Sequence, residues 1–235
     1  MGRAKLVGVL QPGARLLGVG INGVRRGVAM FDGLPRGVIV KSCPQQELAA
    51  ECFCALLADA LCVNSPPVGI VFEGKTPLFA SIDVQVPNLM QQFCTNPDAP
   101  NSAELQVLVD ELVQWVGLGR LIALDVLVRN ADRHPGNLLT DGQDYWAIDH
   151  GRTFNLFPYQ YHKTYRIISR FSNLLVCANI ESSAISNSLT FPVGCELPAS
   201  QEVGKHTLIA TYAQGFAQAV ASRLPSLASS IKGLL

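Results

Sequence analysis

Residues 124–154 read LDVLVRNADRHPGNLLTDGQDYWAIDHGRTF, with a loop rich in Asp, Asn, Arg and His between two apolar runs. Asp132 is followed five positions later by Asn137. An apolar Leu-Leu pair, an Asp-Gly turn and the strand pattern YWAID then lead to Asp149. Because Asp-Gly between apolar runs is typical of a hairpin, the pattern predicts these three side chains on a loop, a hairpin and a strand end.

This set of side chains suits phosphoryl transfer, in which a protein positions an acceptor hydroxyl and holds Mg²⁺ between the nucleotide phosphates. Asp132 is expected to orient the hydroxyl and to take its proton. Mg²⁺ prefers oxygen ligands and keeps several water and phosphate oxygens, so one amide oxygen and one carboxylate from the protein suffice. We expect Asn137 and Asp149 to supply them.

The pattern D-x4-N, followed by a hairpin and I-D-x-G, resembles the catalytic and metal-binding signature of protein-kinase-like folds. The DRHPGN segment is similar to the DRHxxN loop of phosphatidylinositol kinases. HipA-type serine/threonine kinases and the shorter HipA-like kinases share the same scheme on a minimal scaffold. Aminoglycoside phosphotransferases have a similar HPGN segment, but usually His-Gly where this chain has Asn130-Ala131. By size the chain resembles the HipA-like kinases most, which implies ATP and Mg²⁺ as cofactors.

The resemblance implies a strand lysine on the ATP phosphates, paired with a helix glutamate. Lys41 ends the strand pattern GVIVK and fits the first role. Glu51, about one turn further into the next helix than Glu47, is the favoured partner because HipA-like kinases have a glutamate in a comparable position. Glu47 stays open as the alternative.

The strand pattern LFASIDV occupies the place of a hinge between two lobes, where a kinase binds the nucleotide base. Backbone groups in the segment from Phe79 to Asp83 are therefore expected to bind adenine, with Phe79, Ala80, Ser81 and Asp83 as the contact residues. No side chain in the segment identifies a base site by its own chemistry.

Other polar residues of the loop have two interpretations each. Arg133 and His134 either brace the loop, through Asp149 or backbone carbonyls, or contact a substrate phosphate. We favour bracing. His150 is either a packed residue or a neighbour of the metal, and the packed interpretation is favoured.

Short apolar runs with Gly, Pro and Asn between them predict several antiparallel strands in residues 1–42, with the clearest turn at Ile21-Asn22-Gly23. Apolar residues at three- and four-residue intervals predict a helix over 45–63. Val68–Phe72 and Pro77–Val84 have the composition of two further strands.

The second half has mainly helical periodicity. Residues 103–128 predict two helices broken near Gly117 and Gly119, and 160–180 and 202–222 are further helical segments. We therefore predict an α+β fold of the two-lobed, minimal protein-kinase-like type. Its predicted parts are an N-lobe at 1–93 with an antiparallel sheet and one helix, a linker at 94–102, and a mainly α-helical C-lobe at 103–235.

Composition limits the classes of partner. The chain has 235 residues, 49% of them hydrophobic, which allows a sizeable core. Its 18 basic and 18 acidic residues cancel and form no basic run, so we expect no nucleic-acid partner. The most apolar segment, 115–128, is too short to span a bilayer and contains two charged residues. With no secretion signal in view, we expect a cytoplasmic protein without membrane insertion.

The seven cysteines are odd in number and lack paired CxxC spacing. Several lie in apolar stretches, which predicts buried, reduced thiols. Cys52 and Cys54 are two positions apart and would point to different sides of a helix, so we do not expect them to share a metal ion.

The chain departs from eukaryotic protein kinases in three ways. Its glycines at 18, 20, 23 and 27 do not reproduce the full G-x-G-x-x-G-x-V pattern, the HRD and DFG motifs are replaced by NAD and IDHG, and the second lobe is short. The replaced motifs argue against regulation by phosphorylation of the eukaryotic kind. The short lobe leaves little room for a platform that binds a protein substrate.

The favoured hypothesis is a HipA-like kinase that phosphorylates a hydroxyl, with Ser or Thr of a protein as the expected acceptor and an antitoxin-like or regulatory protein as the expected partner. A lipid or small-molecule kinase is the first alternative, although no basic or amphipathic segment for membrane docking is apparent. A nucleotide-binding regulatory module without turnover is the second. The glycine pattern and short second lobe favour that module, whereas the intact Asp132 opposes it.

Overall fold

The computed structural model describes residues 7–17, 23–130, 132–155 and 163–235. The first two residues of the predicted turn Ile21-Asn22-Gly23 lie outside these ranges, as does the start of the predicted helical segment 160–180. The fold is mixed α+β, with a sheet in the N-terminal part and helices through most of the remainder.

Six strands form the N-terminal sheet: β1 Val7–Leu10, β2 Arg15–Leu16, β3 Arg25–Phe31, β4 Leu34–Lys41, β5 Val68–Glu73 and β6 Thr76–Ile82. Their spatial order is β2-β3-β4-β6-β5-β1, and β1 also pairs with β3, so five strands close into a ring. The prediction of an antiparallel sheet is wrong at one pair, because β1 runs parallel to β5. Three strands and a helix separate β1 from β5 in the chain, and such a long connection permits parallel pairing.

β4 presents Lys41 on the outer face of this sheet. Val38 and Val40 are fully buried in a core inside the ring of strands, together with Ala29. Because successive residues of a strand point to opposite faces, Lys41 points away from that core. Its register partner on β6 is Phe79.

Helix α1, Gln45–Ala60, follows β4 directly and packs on the sheet at β5 and β6. Pro44 stands at its N-cap position. The helix ends three residues before the predicted limit of 63, because Cys62 has a left-handed backbone with φ 54°. Cys52 and Cys54 are both fully buried on it, and all seven cysteines are free.

A short helix, α2 Leu89–Phe93, follows the sheet in the chain. A two-stranded hairpin occurs later and consists of β7 Leu138–Thr140 and β8 Tyr145–Ala147. The predicted Asp-Gly turn joins β7 and β8, and a single turn of 3-10 helix at Pro135–Asn137 precedes β7. The polar loop therefore enters the hairpin, as the residue pattern predicted.

The remaining helices are α3 Ser102–Leu112, α4 Leu118–Val128, α5 Lys163–Phe171, α6 Leu174–Ser188, α7 Leu197–Gly204, α8 Ala210–Arg223 and α9 Leu227–Ile231. The predicted break near Gly117 and Gly119 separates α3 from α4. The helical segment 160–180 is divided between α5 and α6, where the Asn173 side chain caps α6 by accepting from the Val176 N–H. The predicted helical segment 202–222 contains the end of α7 and most of α8, and residues 205–209 separate the two helices.

Gly119 permits α4 and α6 to pack closely. A Cβ at this position would lie 2.4 Å from the Ser183 Oγ and 2.9 Å from the Ala184 N. Real Cβ atoms do not approach neighbours at such distances, so the contact requires a glycine. The close helix pair forms part of one large apolar core that also contains α1.

Three aromatic rings connect the segment after Asp149 to that core. The ring of Phe154 stacks on Phe216 of α8 at 4.3 Å between centroids and meets Phe53 of α1 edge-on at 5.6 Å. The Phe154 N–H also donates to the Val128 carbonyl at 2.7 Å. These contacts hold the chain just beyond the IDHG motif.

Residues 94–101 lie between α2 and α3, and a capping box of Asn101 with Glu104 begins α3. The linker limits of 94–102 and the lobe limits on either side stay predictions. Across the described ranges, every helix is too short or too polar to cross a membrane.

Candidate phosphotransferase site

Lys41 joins the sheet to two acidic residues that are distant in the chain. Its Nζ forms an ion pair with the Glu51 Oε1 and lies 2.6 Å from the Asp149 Oδ1. The Glu51 side chain is 1% exposed and that of Lys41 12%, whereas that of Asp149 is 46% exposed. The cluster is therefore closed on the side of α1 and open at Asp149.

Charges in this cluster shift each other's protonation. Burial by itself would lower the pKa of Lys41, but the Glu51 and Asp149 carboxylates outweigh it and raise that pKa. Burial raises the pKa of Glu51 to about 7, against the attraction of Lys41. Burial would also raise the pKa of Asp149, but Lys41 lowers it to about 2. Asp149 is thus the carboxylate that stays ionised and can bind a cation.

Glu51 also fixes the IDHG segment, since its Oε2 accepts the backbone N–H of His150 at 2.7 Å. A Cβ at Gly151 would lie 3.1 Å from the Glu51 Oε1 and 3.5 Å from the Glu47 Oε2. Both glutamates therefore lie against Gly151, but Glu51 is the one that pairs with Lys41. Of the two predicted partners, the geometry favours Glu51.

Asp132 is partly exposed and contacts Arg152. Its Oδ2 is 3.2 Å from the Arg152 Nη1, and its side chain is 21% exposed. The Asp132 carbonyl accepts from the Asn137 Nδ2 at 3.1 Å. Through this hydrogen bond Asp132 is held to the last residue of the 3-10 turn that precedes the hairpin.

Asn137 and Asp149 are the predicted metal ligands. The Asn137 carbonyl accepts the Ile148 N–H at 3.1 Å, so the two ligand positions are on neighbouring chain segments. Because the Asn137 amide nitrogen is bonded to Asp132, the amide oxygen is the atom that can face a cation. Within the described ranges, no three His, Cys, Asp or Glu side chains form a metal cluster. An amide and a carboxylate nevertheless fit Mg²⁺, which takes its other ligands from water and phosphates.

Arg133 braces the loop, as the favoured interpretation predicted. Its side chain is fully buried and donates to the backbone carbonyls of Asn137 and Ile148, at 2.9 and 2.6 Å. It also forms a buried ion pair with Asp125, Nε to Oδ2 at 3.0 Å. The arginine therefore ties α4, the hairpin entry and the strand before Asp149 into one unit.

His150 is packed, also as predicted. It is 1% exposed, and its Nδ1 lies 3.3 Å from the Arg133 Nη2. Because an arginine can only donate, the Nδ1 accepts, and the ring is neutral. Burial, reinforced by the charge of Arg133, lowers the pKa of His150 to about 3.

The predicted adenine contacts need correction for three of the four residues. β6 is a central strand, and Phe79, Ala80 and Ser81 pair with β4 on one side and β5 on the other. Their backbone groups are committed to these neighbours, so they do not offer the expected hydrogen bonds to a base. Even the Asp83 N–H donates to the Gly37 carbonyl at 2.9 Å.

Side chains of β6 have distinct surroundings. Phe79 and Ser81 line a small cavity of about 20 Å³ together with Glu51 and Asp149. Ala80 points the other way, into the core inside the ring of strands. Two of the predicted base-binding residues thus reach the Lys41 cluster through their side chains, and Ala80 does not.

A larger open groove, of about 560 Å³, lies beside the end of β6. Asp83 lines it and forms an ion pair with Arg26, in which the Asp83 Oδ2 lies 2.6 Å from the Arg26 Nε. Arg26 pairs in register with Ile39, two residues before Lys41, so the groove lies on the outer face that also presents Lys41. The volume is in the range of small-molecule sites.

The sequence between β2 and β3 contains G-x-G-x-x-G at 18–23. The departure from the kinase pattern is therefore confined to its last position, where Arg25 replaces Val. Residues 18–22 lie outside the described ranges. Arg25, which begins β3, pairs with Val40, the residue before Lys41.

Two charged residues of this region form ion pairs that were not predicted from the sequence. Asp125 occurs within the apolar run LIALDVLV, and an acidic residue in such a run requires a partner, which is Arg133. Arg152 follows the IDHG motif directly, three positions after the predicted metal ligand Asp149, and this position could have marked it.

No protein-family model and no curated protein sequence matches the chain. Solved structures do match. The Helicobacter pylori proinflammatory kinase CtkA aligns with a TM-score of 0.58 and 11% identity over 95% of both chains. HipA, in a Shewanella oneidensis toxin–antitoxin complex with HipB and operator DNA, aligns with the same score and identity over 91% of this chain and 66% of its own. The chain therefore has the fold of HipA-like kinase structures, as its residue pattern predicted.

Proposed function

We propose that this chain is a two-lobed, HipA-like kinase that transfers the γ-phosphoryl group of ATP to a hydroxyl, with Ser or Thr of a protein as acceptor. The observation that carries the proposal is Lys41, which reaches from the sheet to both Glu51 and Asp149. In phosphoryl transfer, a lysine that is held by a helix glutamate and lies next to an acidic residue after a hairpin binds the nucleotide phosphates.

Each residue has a role in this proposal. Lys41, held by Glu51, binds the nucleotide phosphates. Asp132 orients the acceptor hydroxyl and takes its proton. Asn137 and Asp149 hold Mg²⁺, which supplies positive charge to the phosphate oxygens when bound.

The nucleotide base is proposed to bind between the side chains of Phe79 and Ser81 and the groove at Asp83. Cytoplasmic location and an antitoxin-like or regulatory partner belong to the same proposal. The HipA structure was determined together with HipB and DNA, and that fact concerns HipA. For this chain the partner rests on the shared fold alone.

The first experiment measures Mg²⁺-dependent transfer of label from radiolabelled ATP, both to the chain itself and to water. Asp132→Asn and Asp149→Asn are compared with the wild type. Asp144→Asn is the matched control, because Asp144 is exposed on the turn of the same hairpin. We expect a loss of about 1000-fold in the first two variants and wild-type transfer in the control.

The other outcomes discriminate between the alternatives. ATP binding without transfer by the wild type would favour a regulatory module without turnover. Transfer to a lipid or small molecule but to no protein would favour the other kinase class. No nucleotide binding at all would overturn the proposal.

A further inference from the structure

Arg152 contacts the carboxylate that is proposed to receive the acceptor proton. Its Nη1 lies 3.2 Å from the Asp132 Oδ2, and its side chain is 47% exposed. Asp132 itself is only 21% exposed. The Arg152 side chain is therefore about half exposed while it contacts the less exposed Asp132.

The backbone beneath Arg152 is held on both sides. Gly151 is buried against Glu51. The Thr153 Oγ1 donates to the His150 carbonyl at 2.9 Å, and Phe154 is stacked in the core. Arg152 is thus an exposed side chain in an otherwise buried run, and its neighbours on both sides are held by contacts with the protein interior.

Stability does not account for this ion pair. Exposed pairs of this kind contribute about 0–1 kcal/mol. The bracing of the loop is already supplied by Arg133, which is fully buried and bonded to two carbonyls. An arginine is, however, well suited to bind phosphoryl oxygens, because it keeps its charge and presents a planar set of donors.

The two carboxylates with assigned roles on the metal and acceptor sides each pair with a cation. Lys41 is bound to Asp149 on the metal side, and Arg152 is bound to Asp132 on the acceptor side. A phosphoryl group that moves from the nucleotide toward a hydroxyl on Asp132 passes from the first cation to the second. Negative charge on its oxygens is stabilised by such preplaced donors.

We propose that Arg152 is a catalytic residue that binds the γ-phosphoryl group during transfer, an inference that rests on the proposed function. The bond from phosphorus to the ADP oxygen breaks, and the bond from phosphorus to the acceptor oxygen forms. The acceptor proton goes to Asp132, and ADP leaves. Arg152 exchanges part of its contact with Asp132 for the phosphoryl oxygens.

The test compares Arg152→Ala and Arg152→Lys with the wild type in the radiolabel assay. Arg36→Ala is the matched control, because Arg36 is an exposed arginine at the far end of β4. We expect kcat to fall about 100-fold in Arg152→Ala, with partial activity in Arg152→Lys. KM for ATP should change less than about 3-fold, since the contact forms in the transition state. Thermal unfolding of each variant checks the fold.

Chemical rescue separates catalysis from structure. Guanidinium ion added at millimolar concentration should restore part of the activity of Arg152→Ala but none of that of Asp132→Asn. Turnover by Arg152→Ala that equals or exceeds that of the wild type would overturn the inference. A defect that appears only in KM and is not rescued by guanidinium would overturn it too. A wild type without turnover would overturn the proposed function and this role together, whereas an unchanged Arg152→Ala overturns the role of Arg152 only.

Discussion

Two ionic clusters lie side by side in this molecule and differ in their contact with water. In the sealed cluster, Arg133 and Asp125 are fully buried and His150 packs against them. In the open cluster, Lys41 and Glu51 are mostly buried, but Asp149 is 46% exposed. Both clusters hold the same short segment, 148–151.

The difference shows how burial divides the work among similar residue types. A buried arginine with all its donors bonded cannot release a partner to bind a ligand, so the sealed cluster fixes geometry. A lysine shared by two carboxylates, one of them exposed, can exchange a contact for phosphate. Substitutions should therefore lower stability in the first cluster and activity in the second.

Arg133→Met should have the largest effect, because it leaves Asp125 as a buried charge without its cation. We expect the free energy of unfolding to fall by about 3–5 kcal/mol. Chemical denaturation followed by circular dichroism measures this loss. The double variant Arg133→Met with Asp125→Leu should recover part of it, since both charges are then removed. Equal stability of the single variant and the wild type would break the distinction between the clusters.

Lys41→Met should lower turnover by about 100-fold while the protein stays folded. Lys75→Met, on the exposed turn between β5 and β6, is the matched control and should keep full turnover.

The stability of Lys41→Met also has a predicted pH dependence. The folded-state pKa of Glu51 is already raised to about 7, so its contribution to stability is present at low pH and is lost as pH rises through about 7.

Without Lys41, that loss should become larger, because the positive charge that lowers the pKa of Glu51 against the effect of burial is then absent. Unfolding free energies of Lys41→Met and the wild type, measured between pH 5 and about 8.5, test this. A difference between the two proteins that is independent of pH would contradict the assigned pKa direction.

His150→Asn should have a smaller effect on the free energy of unfolding, and the effect should be confined to acidic pH. The pKa of His150 is about 3 in the folded protein and 6.5 in the ordinary reference state, so the unfolded chain takes up the proton first. Its contribution to stability is present above 6.5 and is lost as pH falls toward 3. Between pH 7 and 5 the wild type should lose about 2 kcal/mol more than His150→Asn. Parallel pH profiles would show that His150 is not held neutral.

Local patterns in the sequence were enough for part of the fold. The Asp-Gly turn, the polar loop before it and the break near Gly117 depend on neighbours in the chain, and the structure has all three. The predicted helical segment 202–222 is helical except at the connection 205–209, which the residue pattern did not indicate. The parallel pairing of β1 with β5 could not be predicted from the sequence either, since no local signal sets the direction of a strand across a long connection.

The sequence by itself determined which residue types are present for phosphoryl transfer and the spacing of Asp132, Asn137 and Asp149. These features are local, because a loop and a hairpin bring residues together within a few positions. Only the tertiary structure decided that Lys41 meets both Glu51 and Asp149, that β6 is a central strand whose backbone is not free for a base, and that Arg152 turns to Asp132. Such contacts depend on how the sheet, α1 and the hairpin pack, and packing joins residues that the spacing of a sequence does not relate.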